Sequence, residues 1–118
     1  MLLQTLVPTL RQKLAEVESE YMSQTGGQNA CRLQKDGRVT GGVKYEEGRL
    51  ITLSQAKRLL SDNTTEVDFR KSIEKLLEEW QEELILLEQK EQPPVHWVAY
   101  RQGGVDGLQY VLELINRE

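Results

Sequence analysis

Cys31 and His96 are the side chains of this 118-residue chain best suited to covalent chemistry, and each is the sole residue of its type. A thiolate is a nucleophile, and a neighbouring imidazole can take its proton. Both residues fall in segments that read as strands of one sheet, so a Cys31–His96 pair would make a small enzyme. A lone cysteine in a strand is more often a small buried hydrophobe. One Cys and one His cannot supply a Cys/His zinc site of the usual ligand number, and no metal or cofactor is expected.

The stretch VHWVAYRQGGVDGLQYVL reads as strand, glycine-rich turn and helix. Gly103 and Gly104 at such a turn would point free backbone N–H groups at an anion. The match is poor, because neither G-x-G-x-x-G nor a P-loop pattern is present and Asp106 would repel a phosphate. A third group is basic: Arg32, Lys35, Arg38 and Lys44 fall in one short region. They are the candidate polar contacts for a protein or a nucleic acid. Sheets that bind nucleic acid stack bases on two or more aromatics, and here Tyr45 stands alone.

The remaining candidates lie on the longest periodic stretch, 64–92, which lacks Gly and Pro. Phe69, Ile73, Leu76, Leu77, Trp80, Leu84 and Leu87 recur at steps of three and four, the spacing of one helix stripe. Ile85 and Leu86 fall off that stripe, so the helix is apolar on a second side from Trp80 onward. Trp80, Leu84, Ile85 and Leu87 are therefore the candidate apolar contacts with a partner or a second copy. Glu78 and Glu82, and Glu79 and Glu83, are like-charge pairs four apart, mildly unfavourable in an isolated helix.

The elements that would position these groups follow from pattern. A first helix spans Leu2 to Ser23, with Leu3, Leu6, Leu10, Leu14, Val17 and Tyr21 inward. Pro8 places its regular start near Val7 or Thr9, and Gly26-Gly27 ends it. Ala30–Gln34, Val39–Tyr45 and Leu50–Leu53 read as three strands of a meander. Asp36-Gly37 makes the first hairpin turn and Glu46–Arg49 the second. Gly41-Gly42 suggests a bulge. Ser54–Ser61 is a short helix. Thr64 or Thr65 caps the long helix, and Pro93-Pro94 stops it. Val95–Arg101, rich in β-branched and aromatic residues, reads as a fourth strand, and Val105–Asn116 as a last helix. No internal repeat is evident.

These readings give a single α+β domain over 1–118, a small antiparallel sheet packed by helices. The composition, 38% hydrophobic and 29% charged, excludes general disorder. The net charge of -4 is uneven. Residues 29–60 carry seven basic and three acidic side chains, whereas 61–92 carry four and ten, so the two segments can pair within the chain. No signal peptide, lipidation motif or membrane-spanning stretch is evident. One cysteine fits a reducing, cytoplasmic setting. The expected function is a non-enzymatic interaction, adaptor or regulatory protein, homodimeric through the long helix. A nucleic-acid-binding accessory protein using the basic meander is the alternative.

Overall fold

The structure, a computed structural model, describes residues 3–25, 41–60 and 64–117. About 90% of these are helical and none is in a strand. Four helices follow one another: α1 (Leu3–Thr25), α2 (Gly41–Leu60), α3 (Glu66–Glu88) and α4 (Val95–Asn116). The molecule is a helical bundle, and the expected α+β sheet is overturned. Of the expected strands, 30–34 and the first hairpin turn lie outside the described residues. Residues 41–45 of the expected strand at 39–45, the second turn, the strand at 50–53 and residues 54–60 of the short helix are all parts of α2. Residues 95–101 form the first two turns of α4, and the expected helix at 105–116 is the rest of it.

The physical reason lies in where each pattern is longest. Alternation through Val39, Gly41, Val43 and Tyr45 covers only a few residues. Gly48, Thr52 and Ala56 are buried at steps of four along α2, with Leu53 beside them. In α4 the buried set is Gly103, Gly104, Val105, Gly107, Leu108, Val111, Leu114 and Ile115, in which Gly104, Leu108, Val111 and Ile115 recur at steps of three and four. The longer period sets the structure. Pro8 does not delay α1, which begins at Leu3 and carries Pro8 within it on the exposed side. The Thr9 hydroxyl donates to the carbonyl of Thr5 across this turn (3.3 Å).

Glycine acts here as a spacer. A methyl group at Gly48 would lie 2.0 Å from the carbonyl oxygen of Tyr100, and one at Gly103 would lie 1.9 Å from that of Tyr45. One at Gly107 would lie 2.5 Å from Thr52 Oγ1. The two backbones therefore touch, with Tyr45, Gly48 and Thr52 of α2 against Tyr100, Gly103, Gly104 and Gly107 of α4. The pairing advances in the same sense along both helices, so they run parallel. A glycine inside a helix costs about 1 kcal/mol relative to alanine, and close packing offsets it.

Around this pair, α1 runs antiparallel to α2, with Tyr21 near Glu47 at one end and Val7 near Leu60 at the other. In the same way α3 runs antiparallel to α4, with Trp80 against Gly104 and Tyr100 and Arg70 bonded to Asn116. Thr65 caps α3, its hydroxyl accepting from the N–H of Asp68 (3.1 Å). Leu6, Leu10, Leu53, Phe69, Ile73, Leu108 and Val111 are fully buried. Each contributes roughly 1.5–3 kcal/mol of burial.

The two helical hairpins are alike, which corrects the reading that no repeat exists. Leu6 and Phe69, Leu10 and Ile73, Leu14 and Leu77, and Val17 and Trp80 correspond, each pair 63 positions apart. Both members of each pair are buried to the same degree. Along the inner helices, Val43 and Val98, Tyr45 and Tyr100, Gly48 and Gly103, and Leu53 and Leu108 correspond, each 55 positions apart. The close contacts are reciprocal. Gly48 meets Tyr100 and Gly103 meets Tyr45, as a two-fold axis between α2 and α4 would require.

Candidate functional site

Because α2 and α4 run parallel, both begin at the same end of the bundle. There they enclose a groove of about 540 Å³, lined by Gly42, Tyr45 and Glu46 of α2, Pro93, and Val95, Val98, Ala99 and Gln102 of α4. Its walls are mainly apolar. Pro94 sets the start of α4, its carbonyl accepting from the N–H of Val98 (2.9 Å). Val95 stands at the rim, 70% exposed.

Beneath the groove is a small polar network. The Tyr45 hydroxyl donates to Asp106 Oδ2 (2.5 Å), and Gln102 Nε2 donates to Asp106 Oδ1 (2.8 Å). Burial, followed by the hydrogen bond to Asp106 and that residue's charge, pushes the Tyr45 phenol up to about 12. Tyr45 therefore stays a neutral donor and moves no proton near neutral pH. Glu46 is held by both oxygens against Arg49 (3.1 Å each). Among the described residues no cation pairs with Asp106, while the Arg49 guanidinium that holds Glu46 lies over the Tyr45 ring (5.8 Å to its centroid). The arrangement can hold an apolar group, complement a positive neighbour and accept a hydrogen bond.

The sequence candidates are dispersed. Cys31, Arg32, Lys35 and Arg38 lie outside the described residues. Lys44 is buried in α2, paired with Glu47 (3.7 Å) and beneath the ring of Trp97 (4.8 Å to its centroid). That position withdraws it from any phosphate. His96 lies in the first turn of α4, with its Nδ1 buried and without a hydrogen-bond partner among the described residues. Gly103 and Gly104 are buried in mid-helix, against Tyr45 and Trp80, so the expected helix-start anion cradle does not form. No cluster of three metal-ligating side chains occurs among the described residues.

Of the apolar candidates, Trp80 and Leu84 belong to the core between α3 and α4. The Trp80 ring packs on Tyr100 (5.3 Å between centroids), and Arg101 lies over it (4.6 Å). Leu87 is half-buried. Ile85 remains on the outer face with Leu86, 51% and 58% exposed. Sequence reasoning missed the groove, because Tyr45, Val98 and Ala99 were assigned to separate strands. The signal that could have found it is the shared pattern V-x-Y-x-x-G at 43–48 and 98–103. No described helix is long and apolar enough to cross a membrane. No protein family, curated protein or solved structure matches the chain.

Proposed function

We propose that this protein is a non-enzymatic protein-binding module whose α2–α4 groove receives an apolar segment of a partner. The observation that carries the reading is the groove itself, with apolar walls and the exposed Val95 on its rim. Burying apolar surface contributes about 25 cal/mol per Å², and a concave, preformed site gains it with little loss of conformational freedom. Exposed contiguous apolar surface on a small protein marks an interaction site. The single cysteine is in keeping with a cytoplasmic setting.

The test is affinity capture from native lysate with the wild type, a groove variant and a distant control. Val95→Glu alters the groove wall at a highly exposed position, and Glu113→Gln lies on an exposed position of α4 outside the groove. A partner retained by wild type and Glu113→Gln, and lost with Val95→Glu, supports the reading. Equal retention by all three, with equal melting temperatures, sinks it.

A second reading is self-association through α3, favoured by the exposed Ile85 and Leu86 on its outer face. Light scattering at micromolar concentration that gives a particle of 13.6 kDa removes it.

A further inference from the structure

The two halves of the bundle differ at the mouth of the groove, and the difference indicates what the groove takes. Trp97 of α4 corresponds to Gly42 of α2, by the same 55-residue offset that relates Tyr100 to Tyr45. On its own side Trp97 stands edge-on to Tyr100, with centroids 5.7 Å apart at 88°, and covers Lys44. The counterparts of Tyr100 and Lys44 are Tyr45 and Ala99, and both line the groove beside Gly42. The groove is thus the place that an indole fills in the other half. It is left open where glycine replaces tryptophan, and widened where alanine replaces lysine.

We propose that this groove receives a tryptophan side chain presented by a basic segment of a partner protein. The proposal rests on the protein-binding reading above and deepens it. Tyr45 offers the same edge-to-face platform that Tyr100 gives Trp97, the arrangement aromatic pairs prefer. Glu46, on the groove wall, accepts from Arg49 at both oxygens yet keeps further lone pairs for an indole N–H, whereas its counterpart in the filled half is Arg101, which has no acceptor. Asp106 beneath Tyr45 and Gln102 has no paired cation among the described residues, and Glu91, two residues before Pro93, is exposed. Both carboxylates favour a positive neighbour over a negative one. Gly42, Pro93 and Val95 are themselves exposed, so the groove is shallow at its rim. A side chain carried on a longer partner segment covers that rim, which a free small molecule of indole size leaves wet.

The probes are two capped tripeptides, acetyl-Lys-Trp-Lys-amide and acetyl-Lys-Leu-Lys-amide, titrated into the full chain and followed by amide and methyl chemical shifts. The expected result is a set of shifts centred on Tyr45, Val95, Val98 and Ala99, with at least tenfold tighter binding of the Trp peptide. Gly42→Trp, which supplies the missing indole from within, reduces that affinity at least tenfold. Ala99→Lys, which restores the other half's lysine, does the same and serves if Gly42→Trp fails to fold. Equal binding of the two peptides, or undiminished binding by the folded variants, overturns the proposal. If neither peptide binds while a Val95→Glu-sensitive partner is captured, the tryptophan assignment falls and the protein-binding reading stands. A particle of twice the chain mass that Trp97→Ala returns to 13.6 kDa overturns it in a different way, by assigning the groove to a second copy.

Discussion

The substitution Gly103→Ala tests the packing on which the fold and the groove both depend. The added methyl would stand 1.9 Å from the Tyr45 carbonyl oxygen, and ordinary contact begins near 3.4 Å. The opposing atom belongs to a helix backbone and cannot rotate away, so α2 and α4 must part by about 1.5 Å at this point. A gap of 0.5–1 Å already forfeits a quarter to a half of the dispersion energy of a contact. Inserting a methyl into a packed core costs about 1–3 kcal/mol, and a rigid opposing atom puts this site at the upper end. Alanine returns about 1 kcal/mol through helix propensity. The expected net loss is about 2 kcal/mol. For a chain of this length that lowers the melting temperature by about 8 °C. Gly48→Ala, facing Tyr100 at 2.0 Å, has the same expected effect. The double variant should cost less than the sum, because one parting of the helices accommodates both methyls. The assay is urea unfolding followed by circular dichroism, with the midpoint reduced and the slope unchanged. Strict additivity, or a rise in stability such as helix propensity alone would give, refutes the close-packed pair.

Two further outcomes follow from single contacts. In a spectrophotometric titration, Tyr45 ionises at about pH 12, and Asp106→Asn lowers its midpoint while leaving the contribution of burial. Since the folded state keeps this proton after the unfolded phenol loses it near pH 10, its contribution to stability is intact below about pH 10 and is lost between there and about pH 12. Tyr45→Phe should flatten that alkaline fall in the urea midpoint, and an unchanged slope would contradict the assignment. Thr65→Ala removes the α3 cap and should cost about 1 kcal/mol by the same unfolding assay, whereas Thr65→Ser leaves stability nearly unchanged.

The outer helices were legible because their patterns are long and uninterrupted. The stripe Phe69, Ile73, Trp80 and Leu84 is the buried face of α3, and Leu6, Leu10 and Val17 form that of α1. The inner helices were legible only in part: 105–116 reads as a helix and is the second half of α4, whereas 41–45, 50–53 and 95–101 read as strands, for a specific reason. Glycine is read as a helix breaker, and its interior cost of about 1 kcal/mol is real for an isolated helix. Gly48, Gly103 and Gly107 lie where two backbones touch, a tertiary circumstance that local propensity cannot register. With Gly48 and Gly103 reading as turns, Val43, Tyr45, Val98 and Tyr100 divide among short strands, which hides their agreement at a constant offset. Lys44 illustrates the same loss on the charge side: within the run of basic residues it reads as a surface contact, and the fold buries it beneath Trp97.

The repeat also separates framework from site. Positions that match across the halves, Tyr45 with Tyr100, Gly48 with Gly103 and Leu53 with Leu108, lie where the inner helices meet or in the core. They follow from the requirement that two helices pack with reciprocal contacts, and they would be needed whatever the protein binds. Positions that differ carry no such requirement. Gly42 against Trp97, Ala99 against Lys44 and Glu46 against Arg101 all fall around the groove or its filled counterpart. A symmetric bundle would have two filled sides or two open ones. This chain closes one side with its own indole and charged groups and opens the other. The open side replaces Trp97 and Lys44 by the smaller Gly42 and Ala99, and puts the acceptor Glu46 where the closed side has the donor Arg101. Volume has been removed and polarity reversed at the same place, a combination that core packing alone gives no reason for and that a bound indole donor would require.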